Sequence, residues 1–112
     1  MLSVDLTWAL TIAYHAMIRA SRALMYSMGY LPTSKNAHKT VIEFTRLSLG
    51  SEYETTVARF NRMRRKRHDF IYNSVNRTTQ EEARIAIKTA KTLARRIIDI
   101  IIKNNPDALL FE

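Results

Sequence analysis

From Leu6 to Leu24, apolar residues recur four, three, four, three and four positions apart, at Leu6, Leu10, Ala13, Met17, Ala20 and Leu24. That spacing stacks them on one face of an α-helix and is incompatible with the two-residue alternation of a half-buried strand. Two more stripes follow: Tyr53, Val57, Phe60, Met63, Phe70 and Ile71, then Ala83, Ile87, Ala90, Ala94, Ile97 and Ile101. A shorter segment carries Val41, Phe44 and Leu47 inward. Only two glycines and two prolines punctuate the 112 residues. Gly29, followed by Pro32, ends the first segment, and Gly50 ends the second. Ser51-Glu52-Tyr53-Glu54 and Thr79-Gln80-Glu81-Glu82 both read as capping boxes. The expectation is an all-α, antiparallel four-helix bundle, with helices over about 5–28, 34–49, 52–74 and 80–104 and a single domain over residues 1–112.

Several classes of function are excluded by what the chain lacks. The longest dense apolar run, Ile97 to Ile102, is too short to span a bilayer and is interrupted by Asp99, so no membrane is expected. The first residues carry no basic region or cleavage site, so a secretion signal is not expected. The absence of cysteine suits a reducing compartment, and the expected location is cytoplasmic. His15, His38 and His68 fall on three different helices, with no acid three or four positions on, so no metal and no cofactor is expected. Phosphate-binding glycine loops and a G-x-S-x-G elbow are absent. What remains is a formal charge of +8, which points to a polyanionic partner, RNA, DNA, a nucleotide or an acidic lipid surface, although a merely basic protein also fits. Arg84, Lys88, Lys91 and Arg95 form a basic stripe about 100° from the apolar one on the last helix, and it reads as solvated surface.

The run Arg62-Met63-Arg64-Arg65-Lys66-Arg67-His68 is different, because it lies inside an amphipathic helix and reaches its apolar stripe. At 100° per residue Arg67 falls in the middle of the apolar stripe and Arg64 on its edge. A guanidinium there is costly unless it snorkels to solvent or meets an acid such as Asp99, a ligand or a partner subunit. Arg64, His68 and Tyr72 stand four apart and form a ridge beside Arg67. Metal-free RNA cleavage needs a group to take the proton from a 2′-hydroxyl and cations to hold the developing phosphorane charge. Histidine and arginine suit those two tasks, and the same residues also serve as plain phosphate clamps.

The order of the motifs resembles the HEPN domain family (higher eukaryotes and prokaryotes nucleotide-binding). Ala13-Tyr14-His15-Ala16-Met17, Ala20-Ser21-Arg22-Ala23-Leu24-Met25 and Gly29 are similar to that family's aromatic-rich second helix. His38-Lys39-Thr40-Val41 with Phe44 is similar to its next helix. Arg67-His68-Asp69-Phe70-Ile71-Tyr72 falls where the family carries its signature arginine, and the Thr79 box with its long apolar helix completes the pattern. The likeness runs from about residue 6 to residue 103.

That resemblance implies a helical bundle that forms homodimers, with the signature motifs facing each other across the interface. Many members are metal-independent ribonucleases with the pattern R-x(4–6)-H, and many small ones pair with a minimal nucleotidyltransferase as toxin and antitoxin. The site it implies here is Arg67, His68 and Tyr72 for catalysis, with Arg62, Arg64, Arg65 and Lys66 holding RNA. The chain departs from the pattern in two places. With Arg67 as signature arginine, the family's histidine position holds Tyr72. The alternative pair, Arg62 with His68, lies about 120° apart around the helix, with Arg62 off the stripe. The family's usual first helix is also missing ahead of the aromatic-rich one, which should leave an apolar groove for a partner chain. Three readings follow: an RNA-directed protein acting as a ribonuclease toxin, a non-catalytic nucleotide-binding or docking subunit for a nucleotidyltransferase, and a basic bundle on anionic membranes.

Overall fold

Helix α1, Leu2–Ser27, stops where Gly29 adopts a φ of 84°, a conformation that a side chain would penalise. The Tyr30 amide then donates to the Met25 carbonyl and the Gly29 amide to the Tyr26 carbonyl, which closes the helix in a Schellman turn. Helix α2 spans Ala37–Leu49, α3 spans Glu54–Tyr72 and α4 spans Gln80–Asn104. In this computed structural model the described residues are 2–31, 37–72 and 78–105, with side chains described over 6–31, 37–66 and 78–105. Thr79 caps α4 as expected: its hydroxyl accepts from the Glu82 amide, and the Glu82 carboxylate accepts from the Thr79 amide, both at 3.1 Å. The Ser51 box does not form. Ser51–Tyr53 winds instead into one 3-10 turn capped by the backbone of Gly50, at φ 88°, and α3 begins after it. No helix of the described residues is long and apolar enough to cross a membrane.

Side-chain contacts give the helix directions. Lys66 meets Glu82 while Arg96 lies over the Tyr53 ring, so α3 and α4 are antiparallel. Arg46 meets Glu54, and Lys39 lies near Arg64 and Arg65, so α2 and α3 are antiparallel too. The bundle is nevertheless not antiparallel throughout, which corrects the expectation. Thr7 donates to Thr78, and Leu10 shares a cavity with Ala86, so α1 and α4, the most extensive pairing, run the same way. His38 sits against Tyr14 and Phe44 against Tyr30, so α2 starts beside the middle of α1 and proceeds toward its C-terminal end. The expectation assumed tight reversals. Helix α2 instead begins ten residues after α1 ends and packs its start beside the middle of α1.

The core centres on Tyr14, Met17, Ile18, Leu24, Val41, Phe60, Leu93 and Ile97, all essentially inaccessible. Tyr14 packs its ring against Phe60 with centroids 5.8 Å apart, and its hydroxyl lies 2.8 Å from His38 Nδ1, so the buried phenol keeps a hydrogen-bond partner. Two expected core residues are outside it. Leu47 is 67% exposed and Ile87 is 42% exposed, while Ile42, Thr45 and Leu93 occupy the interior. Thr45 and Thr89 remain compatible with burial because each hydroxyl donates to the carbonyl four residues earlier.

Candidate nucleic-acid interface

Among the described residues the basic run does not present one surface. Helix α3 packs between α2 and α4, so cations adjacent in sequence are divided between its two flanks. Arg64 and Arg65 line a cleft of about 330 Å³ between α2 and α3, together with Lys39, Arg46 and Asn61. Arg62 and Lys66 line a cavity of about 150 Å³ on the other flank, over Leu10, Met63, Ile85 and Ala86, with Arg59.

These flanks differ in how their charge is compensated. In the α2–α3 cleft the carboxylates are Glu43 and Glu54, and both are engaged by Arg46, at 2.6 and 3.3 Å. Hydrogen bonding to Glu43 raises the Arg46 pKa above its usual range and lowers that of Glu43. Lys39, Arg64 and Arg65 have no carboxylate partner among the described residues. Asn61 Oδ1 accepts from Arg64 Nε at 3.1 Å, which fixes the root of a half-buried guanidinium. On the opposite flank Lys66 is held by Glu82 at 2.5 Å. Burial opposes ionisation of Glu82, but hydrogen bonds from Lys66 and from the Thr79 backbone outweigh it and keep the carboxyl below its ordinary range. Lys66 is therefore an interhelical tie, whereas Arg62 stays exposed on the rim.

Arg67, His68 and Tyr72, the residues expected to carry chemistry, belong to the last turns of α3, and their side chains lie outside the described residues. Asp99, the acid considered as a buried partner for Arg67, is exposed. Among the described residues no three of His, Cys, Asp and Glu are grouped as metal ligands, and His15 is exposed while His38 serves Tyr14. Three members of the cleft, Lys39, Arg46 and Asn61, were not anticipated. Lys39 comes from another helix, so only the fold brings it to α3. Asn61, three residues before Arg64, did carry a local signal, since that spacing lets an amide oxygen orient a guanidinium. No protein-family model, curated protein or solved structure matches this chain.

Proposed function

We propose that this protein is a HEPN-like, RNA-directed domain that grips the phosphate backbone in the α2–α3 cleft. The observation that carries the reading is the trio Lys39, Arg64 and Arg65, uncompensated by any described carboxylate and fixed in part by Asn61. Phosphate neutralisation is the dominant, sequence-independent part of nucleic-acid affinity, and arginine's fork suits it. The α3 backbone stays helical to Tyr72, so positions 68 and 72 follow 61, 64 and 65 in the same helical register. RNA lying along the cleft thereby runs toward Arg67, His68 and Tyr72, which in this proposal hold the scissile phosphate and move its protons. The signature segments of two chains meet in a homodimer, as the family resemblance implies. A second reading, a non-catalytic docking subunit for a nucleotidyltransferase, is favoured by one residue: Tyr72 stands where the family's histidine would.

Fluorescence anisotropy of a labelled single-stranded RNA across a salt series tests the cleft. Arg64→Ala and Arg65→Ala should each weaken binding and lower the slope of log K against log salt by about 0.7, the value for one lost single-strand phosphate contact. Arg84→Ala, whose guanidinium is already engaged by Glu81 on the exposed face of α4, should change the slope little. Equal effects at all three positions would reduce the cleft to part of a diffuse positive surface.

A further inference from the structure

The side of helix α1 that faces away from the core carries exposed apolar residues beside exposed His15 and Arg19. Trp8 is 62% exposed and Ile12 64% exposed, and Ala16 and Ala23 are open to solvent on the same flank. Apolar residues grouped on an exposed flank are ordinarily covered. The neighbouring flank of α4 behaves likewise, with Ile87 42% and Ile98 53% exposed. Thr7 donates to Thr78, and Leu10 shares a cavity with Ala86, so these two co-directional helices lie side by side. Ile12 and Ala23 stand eleven residues apart, as do Ile87 and Ile98, so each exposed flank runs three helical turns, about 16 Å. The outer seam between α1 and α4, an apolar groove in this reading, combines small Ala16, Ala23 and Ala94 with bulky Ile12, Ile87 and Ile98.

Charge around the groove is mainly positive, with exposed Asp99 one turn after Arg95 as the exception. From Leu6 to Ser27, and again from Ala83 to Ile98, no carboxylate occurs. Arg19 stands on the α1 crest, and Lys91 and Arg95 line the α4 rim, all exposed. A second copy of this chain would bring its own Arg19, Lys91 and Arg95 to the seam, which like-charge repulsion opposes. Small residues between two parallel ridges instead suit the close approach of a third helix. We propose that the α1–α4 outer groove docks an amphipathic helix of a partner protein, whose apolar stripe fills the trough and whose glutamates or aspartates flank it to meet Arg19, Lys91 and Arg95. This surface is separate from the α2–α3 cleft and does not depend on RNA binding there.

Two dye-labelled 16-residue amphipathic peptides with the same Leu/Ala stripe, one flanked by Glu and one by Lys, provide the probes, read by anisotropy against the full chain. The Glu-flanked peptide should bind with one-to-one saturation and weaken as salt rises. Ile98→Glu, at an exposed position that folding does not require, should abolish its binding. Lys91→Glu combined with Arg95→Glu should weaken it about ten-fold, the effect of reversing two rim charges, and shift the preference toward the Lys-flanked peptide. Should the charge-reversed variant misfold, the salt dependence of the wild type decides alone. Equal binding of the two peptides overturns the proposal, as does binding that salt leaves unchanged. Uptake only by phosphatidylglycerol vesicles, or a doubling of mass that Ile98→Glu prevents, would assign the groove to a membrane surface or to a second copy and would equally overturn it.

Discussion

Glu82 shows how one side chain ties a local signal to a tertiary one. Its backbone amide donates to the Thr79 hydroxyl, while its carboxylate accepts from the Thr79 amide and from Lys66 Nζ on α3. Capping satisfies amides that the first turn of α4 would leave orphaned, and the ion pair anchors that turn to α3. Thr79→Ala should cost about 1 kcal/mol in urea denaturation, the usual loss of an N-cap. The pH dependence follows from the direction of the Glu82 shift. Its folded pKa is lowered, so the stabilisation is present above the unfolded carboxylate range, about 4.3, and is lost as pH falls through the folded value. The stability gap between wild type and Glu82→Gln should therefore be present at pH 7 and shrink by pH 3. A gap that stays constant between those pH values would remove Glu82 ionisation from the account.

At the scale of elements, α2 is the helix whose role the sequence least revealed. Val41, Phe44 and Leu47 satisfy a three-residue spacing, but the face actually buried is Val41, Ile42, Thr45 and Leu49. Both stripes are helical, and on a thirteen-residue helix with few apolar residues they differ by nearly a third of a turn, about 115° at 100° per residue, which the neighbouring helices decide. Ile42→Ala should thus cost about 2–5 kcal/mol, whereas Leu47→Ala should stay within about 0.5 kcal/mol. Parallel urea melts of the two variants would read the rotation directly, and a reversed order would restore the sequence-derived stripe. The same ambiguity explains Ile87 against Leu93 on α4. Helix number, the Gly29 stop and the Thr79 cap were legible because each rests on local chemistry. The direction of α2 along α1 was not, because it depends on which part of α1 the start of α2 packs against, and His38 meets Tyr14 at its middle. The candidate site was half legible for the same reason: Arg64 and Arg65 stand out in the run, but its split between two flanks needs α2 and α4 in place.

For the whole molecule, the two proposed surfaces lie on different sides of the bundle, with the phosphate cleft between α2 and α3 and the helix-docking groove between α1 and α4. RNA handling and partner binding can therefore be tested apart. The proposed homodimer joins signature segments at the end of α3, so light scattering should give twice the 13.0 kDa chain mass at micromolar concentration. A mass of one chain would leave each Arg67 without its counterpart and remove the composite site. Cleavage then separates the two functional readings. Transition-state charge in a 2′-hydroxyl attack would fall to Arg67 and Arg64, and near pH 7 histidine is the side chain on the ridge whose ordinary pKa suits proton transfer. Tyrosine, with an ordinary pKa near 10, suits phosphate orientation through a hydrogen bond. In excess chelator the wild type should cleave a single-stranded RNA, Arg67→Ala should be inactive, and His68→Ala should lose far more rate than Tyr72→Phe. Survival of activity in His68→Ala with its loss in Tyr72→Phe would move the chemistry to an arginine–tyrosine pair. An inactive wild type that still binds RNA through Arg64 and Arg65 would leave the cleft as a clamp and make the protein a docking subunit.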